Sequence, residues 1–201
     1  MNALERKTKL TEIQSHTPEA VNALKLPYQG ETRTFNVYKI PIEFLVFNKE
    51  NGRIASLVKS YIREHSTIDV ETEEGSELIA KFLYSAHKDR NDITRQDIIN
   101  NGQLQYGIVT SDGVIVDGNR RVTLLISIAN DKTIAQPVRD RCKFFLAAIL
   151  PEEANPKDIL RLETQFQMGA DGKVDYNPIE KYLHAVDMLS KDFTVDEIKS
   201  Y

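Results

Sequence analysis

Tryptophan is absent from this 201-residue chain, and cysteine occurs only once. The single cysteine, Cys142, cannot form an internal disulfide, and no basic segment near residue 1 leads into an apolar stretch, so nothing indicates secretion. The longest apolar run, residues 144–150, is far too short to cross a bilayer as a helix. We therefore expect a cytoplasmic protein without a membrane span, in which Cys142 is a small core residue.

A strongly basic composition is also lacking. The chain has 30 acidic and 26 basic residues, which gives a formal net charge of -4. Domains that bind the phosphate backbone of nucleic acids usually carry a basic field. We therefore expect any contact with DNA to be local, or to lie outside this sequence.

Metal-binding patterns are scarce. The histidines share no metal-like spacing, so we expect surface or helix-face positions and no zinc site for His16, His65, His87 and His184. Residues 171–175, DGKVD, lack the oxygen ligands and the closing glutamate of a calcium-binding loop. A plain loop is expected there.

The hydrophobic pattern predicts an α+β protein in three parts. Residues 1–36 have no sustained period and are expected to form a loosely packed arm. Residues 37–150 are expected to form the core, with an extended segment over residues 37–47 and a buried strand over residues 143–150. Residues 151–201 are expected to form a C-terminal helical segment.

Helical spacing is found in the middle of the chain. Apolar residues recur at helical intervals over residues 54–63 and 78–86, and Thr94 is a suitable N-cap for a third helix that ends at Asn100. The acidic stretch over residues 69–77 is expected to be a solvated loop.

Two later helices have clearer start signals, each an Asn-Pro pair with an acid two residues after the proline. These signals predict helices that begin at Pro156 and Pro178. In the second helix the apolar residues share one face, as in a helix that packs on a core: Ile179, Tyr182, Leu183, Val186 and Leu189. Thr194 is a suitable cap for a further helix that carries Val195 and Ile198.

A β-hairpin is predicted over residues 106–117, YGIVTSDGVIVD, with an Asp-Gly turn at its centre. If a helix opens at Val122, then Gly118 and Asn119 form the turn between strand and helix. The free backbone N–H groups of the helix, together with the guanidinium groups of Arg120 and Arg121, would then make an anion site.

A plainer interpretation fits the same residues. Arg120 and Arg121 would be solvated on the surface of a helix, and Asp117 would only cap that helix. The five residues DGNRR do not decide between the two interpretations, and their context favours the anion site.

Three segments carry a resemblance to a known family. Residues 102–125, GQLQYGIVTSDGVIVDGNRRVTLL, resemble the phosphate-binding core of the ParB and sulfiredoxin superfamily, in which a helix, a glycine-containing turn, a hairpin and a DGxRR or GERR turn follow in order. Residues 38–54 are similar to the family's opening strand and Asn-x-Arg element, and residues 162–186 resemble its ENxQR element followed by LNPIEEA. The resemblance covers residues 37–190.

The resemblance implies a ParB/sulfiredoxin-like fold, with a small mixed sheet, flanking helices, C-terminal helices and a helical insertion at about residues 55–97. It implies that nucleotide phosphates contact Asp117, Gly118, Asn119, Arg120 and Arg121, and that Arg53 reaches toward them. Glu163 would stand where the family's catalytic acid stands, and with Thr164 it would hold Mg²⁺. Gln165 and Gln167 would complete the nucleotide contacts.

The chain also departs from the family. Thr164 replaces a metal-contacting asparagine, and Phe166 and Gln167 replace a glutamine and an arginine. A threonine hydroxyl can ligate Mg²⁺, but this replacement bears on hydrolysis more than on binding. Sulfinic acid reduction is not expected, because Asn119 stands where sulfiredoxin needs its turn cysteine.

The leading expectation is a domain that binds a nucleoside triphosphate, CTP or ATP, with Mg²⁺, and acts as the switch of a DNA-associated homodimer. DNA would be contacted by a downstream helix-turn-helix. Residues 192–201 resemble the first helix of such a motif. Alternatives are a phosphotransferase, a nuclease, a Mg²⁺-dependent nucleoside triphosphatase, or a protein-interaction domain with a vestigial anion site. The insertion would cover the nucleotide, face a partner or serve as a structural cap.

Overall fold

The structure is a computed structural model that describes residues 1–16, 20–86, 88–168 and 178–199. Its strands are β1 (Asn22–Tyr28), β2 (Glu31–Pro41), β3 (Gly107–Val109), β4 (Ile115–Asp117) and β5 (Phe144–Ile149). Its helices are α1 (Ala3–His16), α2 (Ala55–His65), α3 (Glu73–Ser85), α4 (Lys88–Asn101), α5 (Asn119–Asn130), α6 (Gln136–Arg141), α7 (Pro156–Met168), α8 (Pro178–Ser190) and α9 (Val195–Lys199).

The strands form one mixed sheet in the order β1-β2-β5-β3-β4. Neighbours are antiparallel except β3 and β5, which run parallel. Alternate residues of a strand point to opposite faces, so Val109 and Ile115 join one apolar cluster while Ile108 and Val116 join another. Helices α1–α5 contribute to the first cluster and α7 to the second, so both faces of the sheet are covered. The expected α+β architecture, a mixed sheet with flanking helices, is confirmed.

The predicted hairpin is present as β3 and β4, which pair antiparallel. Gly113 has φ +87°, which explains the Asp-Gly turn. The following helix begins earlier than predicted, because α5 starts at Asn119 rather than Val122. Gly118 is its N-cap and has φ +108°, so this one left-handed residue reverses the chain without a longer turn.

Residues 1–16 and 20–36 form a helix and two strands, in contrast to the loosely packed arm that the pattern predicted for residues 1–36. β1 and β2 pair from Asn22 to Tyr28, and the two turn residues, Gln29 and Gly30, both have positive φ, as in a type I′ hairpin. The lone proline of β1, Pro27, is accommodated because β1 is an edge strand.

Helix α1 was missed because a buried charge occupies part of its inner face. Arg6 is 3% exposed and donates to both carboxylate oxygens of Glu71, at 2.7 Å each, and to the carbonyl of Asp112 at 2.8 Å. One turn further on, Leu10 is completely buried. Amphipathic helices are predicted from apolar residues that recur on one face. The inner face of α1 carries an arginine at one of these positions, so the pattern is incomplete.

The middle helices are longer than predicted. α3 begins inside the acidic stretch that was expected to be a loop, since the Thr72 side chain accepts a hydrogen bond from Gly75 N at 3.1 Å. Glycine is required at this first turn because an added Cβ would lie 1.8 Å from the Asp69 carbonyl oxygen. α4 begins at Lys88, so Thr94 lies within the helix and is not its N-cap.

The predicted start of α7 is confirmed, since the Asn155 side chain accepts from Asp158 N at 2.9 Å. Asn177 and residues 171–175 lie outside the described residues. α9 has the predicted cap: Thr194 Oγ1 accepts from Glu197 N at 3.2 Å, and a Glu197 carboxylate oxygen accepts from Thr194 N at 2.8 Å.

Helix α8 buries the opposite face to the one predicted. Ile179 and Tyr182 are 64% and 70% exposed, and Val186 and Leu189 are exposed as well. The buried side chains of α8 are instead Glu180, His184 and Met188. Polar partners on α2 and α7 explain the inversion, since Glu180 lies 3.5 Å from Ser56 Oγ and His184 lies 2.8 Å from Thr164 Oγ1.

Within the four described stretches, no helix is long and apolar enough to span a bilayer. Cys142 is buried in the first apolar cluster, as expected. His16 and His65 lie exposed on helices, and His184 lies on helix α8 with its side chain buried, so all three occupy helix positions as expected. His87 lies outside the described residues.

Candidate anion-binding site

A cavity of about 470 Å³ lies where α5 begins. Its walls come from five segments: the loop that holds Asn51 and Arg53, Leu83 of helix α3, helix α4, residues 102–105 and residues 117–121. The volume lies in the range of pockets that bind small molecules. The residues of the DGNRR motif therefore face a cavity and are not simply solvated on a helix.

The backbone at the start of α5 is open toward this cavity. Gly118 lines the cavity, and as the N-cap it provides no side-chain hydrogen bond to the helix. The first N–H groups of a helix have no partner within the helix, and they carry its partial positive charge. A side chain at position 118 is excluded, since an added Cβ would lie 2.4 Å from the Phe145 ring.

Each arginine of the motif is held by one neutral acceptor. Arg120 Nη2 donates to Thr94 Oγ1 at 3.3 Å, and Arg121 Nη2 donates to Gln105 Oε1 at 3.1 Å. The Nη1 atoms of both arginines and Nε of Arg53 are buried and have no hydrogen-bond partner within the described part of the chain. Buried donors without acceptors are costly, so a bound anion would stabilise this arrangement.

Positive charge accumulates in the cavity. Burial, followed by the neighbouring charges of Arg53, Arg121 and Arg90, lowers the pKa of Arg120 to about 10. Burial also lowers the pKa of Arg121; the negative charge of Asp117 opposes this effect and the charge of Arg53 adds to it. The guanidinium groups thus repel one another where water is scarce, and a multivalent anion would relieve that repulsion.

Two carboxylates also line the cavity. Asp117 is the last residue of β4 and is buried, and Asp97 lies on the exposed side of α4, where its carboxylate accepts from Asn101 Nδ2 at 2.7 Å. In the described stretches no three His, Cys, Asp or Glu side chains come together as metal ligands. Any divalent cation here would therefore need ligand oxygens in addition to those two carboxylates.

Asn119 positions the cavity walls. Its side chain is buried, Oδ1 accepts from Asn48 N at 2.9 Å, and Nδ2 donates to Ile115 O at 2.9 Å. These bonds attach the loop that carries Arg53 to the hairpin that carries Asp117. The amide group is thus occupied in holding two segments together, although Asn119 also lines the cavity as predicted.

Glu163 lies behind this loop. It is buried, and its carboxylate accepts from Gly52 N at 3.2 Å and from Asn48 Nδ2 at 3.4 Å. It lines a second cavity, of about 380 Å³, together with Arg6 and Lys191. Glu163 therefore supports the residue that precedes Arg53, and its predicted catalytic and metal-binding roles stay predictions.

The other predicted residues of α7 lie in the packing of the C-terminal helices. Thr164 is fully buried, and its hydroxyl lies 2.7 Å from Leu160 O and 2.8 Å from His184 Nε2, where burial lowers the pKa of the imidazole. Gln165 Oε1 is buried and has no hydrogen-bond partner in the described segments. The side chain of Gln167 lies outside the described part.

Sequence reasoning missed the wall that α4 contributes. Arg90, Thr94 and Asp97 all line the cavity, at positions i, i+4 and i+7 of one helix. This spacing places them on one face. The helical spacing of these three polar residues could have indicated the wall. It was not recognised because the predicted helix started at Thr94 and left out Arg90.

Comparison with known proteins identifies no relative: no family model, no curated protein and no solved structure matches the chain. The candidate site therefore rests on its own geometry and charge.

Proposed function

We propose that this chain binds a nucleoside triphosphate, with the phosphates on Arg53, Arg120, Arg121 and the first turn of α5. The observation that carries the proposal is that three arginines line one cavity and each has a buried guanidinium nitrogen without an acceptor among the described residues. Arginine donors and helix N–H groups are the usual ligands of phosphate oxygens in proteins. The nucleotide is CTP or ATP, by resemblance to the ParB N-terminal domain.

The nucleotide acts as a switch in this proposal. Its phosphates would bridge segments that the side chains of Asn119, Arg120 and Arg121 link in the free chain, so the arrangement of the cavity would differ between the bound and free states. The exposed apolar residues of α8, which include Ile179 and Tyr182, support self-association as the response. A ParB/sulfiredoxin-like fold and a downstream DNA-binding segment belong to the same proposal.

Binding is favoured over turnover by the position of Glu163. A general base must come within hydrogen-bond reach of its nucleophile, but this carboxylate accepts from Gly52 N and Asn48 Nδ2, behind the arginine loop. Mg²⁺, where bound, would screen the phosphates. Asp117 and Asp97 are the carboxylates of the cavity that would approach it.

A nucleotide panel tests the proposal. CTP, ATP, GTP and UTP, each with Mg²⁺, are titrated by calorimetry into the wild type, Arg120→Ala and the exposed control Arg63→Ala. We expect one or more triphosphates to bind the wild type and the control, and to bind the Arg120→Ala variant at least about tenfold more weakly, since one charged hydrogen-bonding group is removed. Equal affinity in all three proteins would overturn the site.

Product analysis of the same mixtures distinguishes the alternatives. A diphosphate product that depends on Glu163, and that is lost in Glu163→Gln while binding persists, would indicate a triphosphatase or phosphotransferase. If none of the four triphosphates binds, a protein-interaction domain with a vestigial anion site becomes the better hypothesis.

A further inference from the structure

Part of the cavity lining is apolar. Ile93 on α4 and Leu104 in the loop before β3 both line it, and they are 73% and 65% exposed. A ligand with an apolar part would cover two exposed apolar side chains that line one cavity, and a phosphate alone would not. Inorganic phosphate therefore leaves part of this cavity unexplained.

The chain places these two residues beside the arginine anchors. Ile93 precedes Thr94, which accepts from Arg120, and Leu104 precedes Gln105, which accepts from Arg121. Each apolar side chain is thus one residue away from a group that fixes a guanidinium. Residues 102–105 are themselves held in place, because Gln103 Nε2 donates to Leu146 O at 2.6 Å and Oε1 accepts from Leu146 N at 2.9 Å.

We propose that Ile93, Leu104 and Asp97 form the base and ribose subsite of the nucleotide site, so that α4 is a specificity element. This inference rests on the proposed function. The apolar side chains would cover the faces of the base, and the Asp97 carboxylate would accept from an exocyclic amino group or a ribose hydroxyl. The ligand class is thereby a nucleoside polyphosphate, in preference to a free polyphosphate or a sugar phosphate.

The effect of Asp97→Asn on affinity distinguishes a nucleoside subsite from a plain anion site, because the two predict changes in opposite directions. Asp97 is negatively charged, so in a phosphate site without a nucleoside the Asp97→Asn change would strengthen binding. If the Asp97 carboxylate accepts a hydrogen bond from the nucleoside, it favours binding, and Asp97→Asn would weaken the binding of a nucleoside triphosphate. Experiments in EDTA, without Mg²⁺, remove the metal as a third explanation.

The test compares tripolyphosphate with the tightest-binding of CTP, ATP, GTP and UTP. We expect Ile93→Ser and Leu104→Ser each to weaken the nucleoside triphosphate about tenfold and tripolyphosphate less than about twofold, since only the nucleoside covers these side chains. Asp97→Asn is expected to weaken the nucleoside triphosphate and to strengthen tripolyphosphate. Leu4→Ser is the matched control, because Leu4 is a similarly exposed apolar residue of a helix, α1, and lies outside both the cavity lining and the exposed face of α8.

Each outcome is decisive. If tripolyphosphate binds the wild type as tightly as any nucleotide and the Ile93→Ser and Leu104→Ser changes have no selective effect, the subsite is absent although the anion site stands. If neither tripolyphosphate nor a nucleotide binds, the proposed function fails and the subsite with it. Equal weakening of both ligands would show damage to the anion site and would contradict a nucleoside subsite.

Discussion

Arg120 is held in the folded chain at an electrostatic cost. Its pKa is lowered to about 10, first by burial and then by three other arginines, and its Nη1 has no hydrogen-bond partner among the described residues. Arg6, in contrast, is paired with the acidic Glu71. This contrast supports the proposed binding role of Arg120.

We expect Arg120→Met to leave the free protein as stable as the wild type, or more stable by up to about 2 kcal/mol, because an apolar chain of similar length replaces a buried charge. The same change should abolish stabilisation by tripolyphosphate. Urea unfolding with and without tripolyphosphate measures both effects, and Arg63→Met should alter neither. A free protein destabilised by more than about 1 kcal/mol would indicate a structural role for Arg120.

Gly118 lends itself to a paired substitution with Gly30. Both have positive φ, but at Gly30 an added Cβ would meet no atom of the described residues within 4 Å, whereas at Gly118 it would lie 2.4 Å from Phe145. We expect Gly30→Ala to lower the free energy of unfolding by about 1–2 kcal/mol and Gly118→Ala to lower it by about 2–4 kcal/mol. Denaturant titration gives both values. Equal losses would mean that Phe145 moves aside freely.

At the scale of elements, turns and helix caps could be predicted from the sequence, whereas buried polar contacts could not. Gly113, Asn155 and Thr194 marked a turn and two helix starts because each acts on residues within four positions of itself. Helix α1 and the inner face of α8 escaped prediction because Arg6 and His184 are buried against partners far away in sequence. Such partners cannot be inferred from a local period.

The ion pair of α1 predicts an acid-dependent loss of stability. The hydrogen bond from Arg6, opposed by burial and assisted by the Arg6 charge, lowers the pKa of Glu71 from its ordinary 4.5. A carboxyl group with a lowered folded-state pKa stabilises the fold above pH 4.5, and this stabilisation is lost as the pH falls through the folded-state pKa.

We therefore expect Glu71→Gln to be less stable than the wild type by about 0.5–1.5 kcal/mol at pH 7, since a charge-assisted bond to the buried Arg6 is removed and solvent screens the half-exposed Glu71. The difference should shrink steadily as the pH falls below 4.5. Unfolding by urea at a series of pH values measures it, with the exposed Glu64→Gln as the control. A difference that stays constant with pH would show that packing, and not charge, is responsible.

At the scale of the molecule, the site joins segments that lie far apart in the chain. The turn at Gly118 and its arginines could be predicted because they are contiguous. The contact between Arg120 and Thr94 spans 26 residues and depends on how α4 packs beside α5, so no motif indicated it. For the same reason no motif indicated that the Asn119 side chain forms hydrogen bonds to two backbone segments, and its phosphate contact stays a prediction.

The charge distribution of the whole chain predicts how binding responds to salt. The net charge is -4, while four arginines, Arg53, Arg90, Arg120 and Arg121, line one cavity, so a polyphosphate is attracted by the site and repelled by the rest of the surface. At a ligand concentration about 100 times Kd, binding should add about 2.7 kcal/mol and raise Tm by about 5–10 °C.

Raising the salt concentration from about 0.1 M to about 1 M shortens the Debye length from about 10 Å to about 3 Å and weakens charge attraction in a partly open site. We expect the rise in Tm at a fixed tripolyphosphate concentration to fall by more than half over this range. Thermal unfolding with and without tripolyphosphate measures it, and the unliganded protein at each salt concentration corrects for general salt effects. If the rise in Tm does not depend on salt, the anion binds away from these arginines.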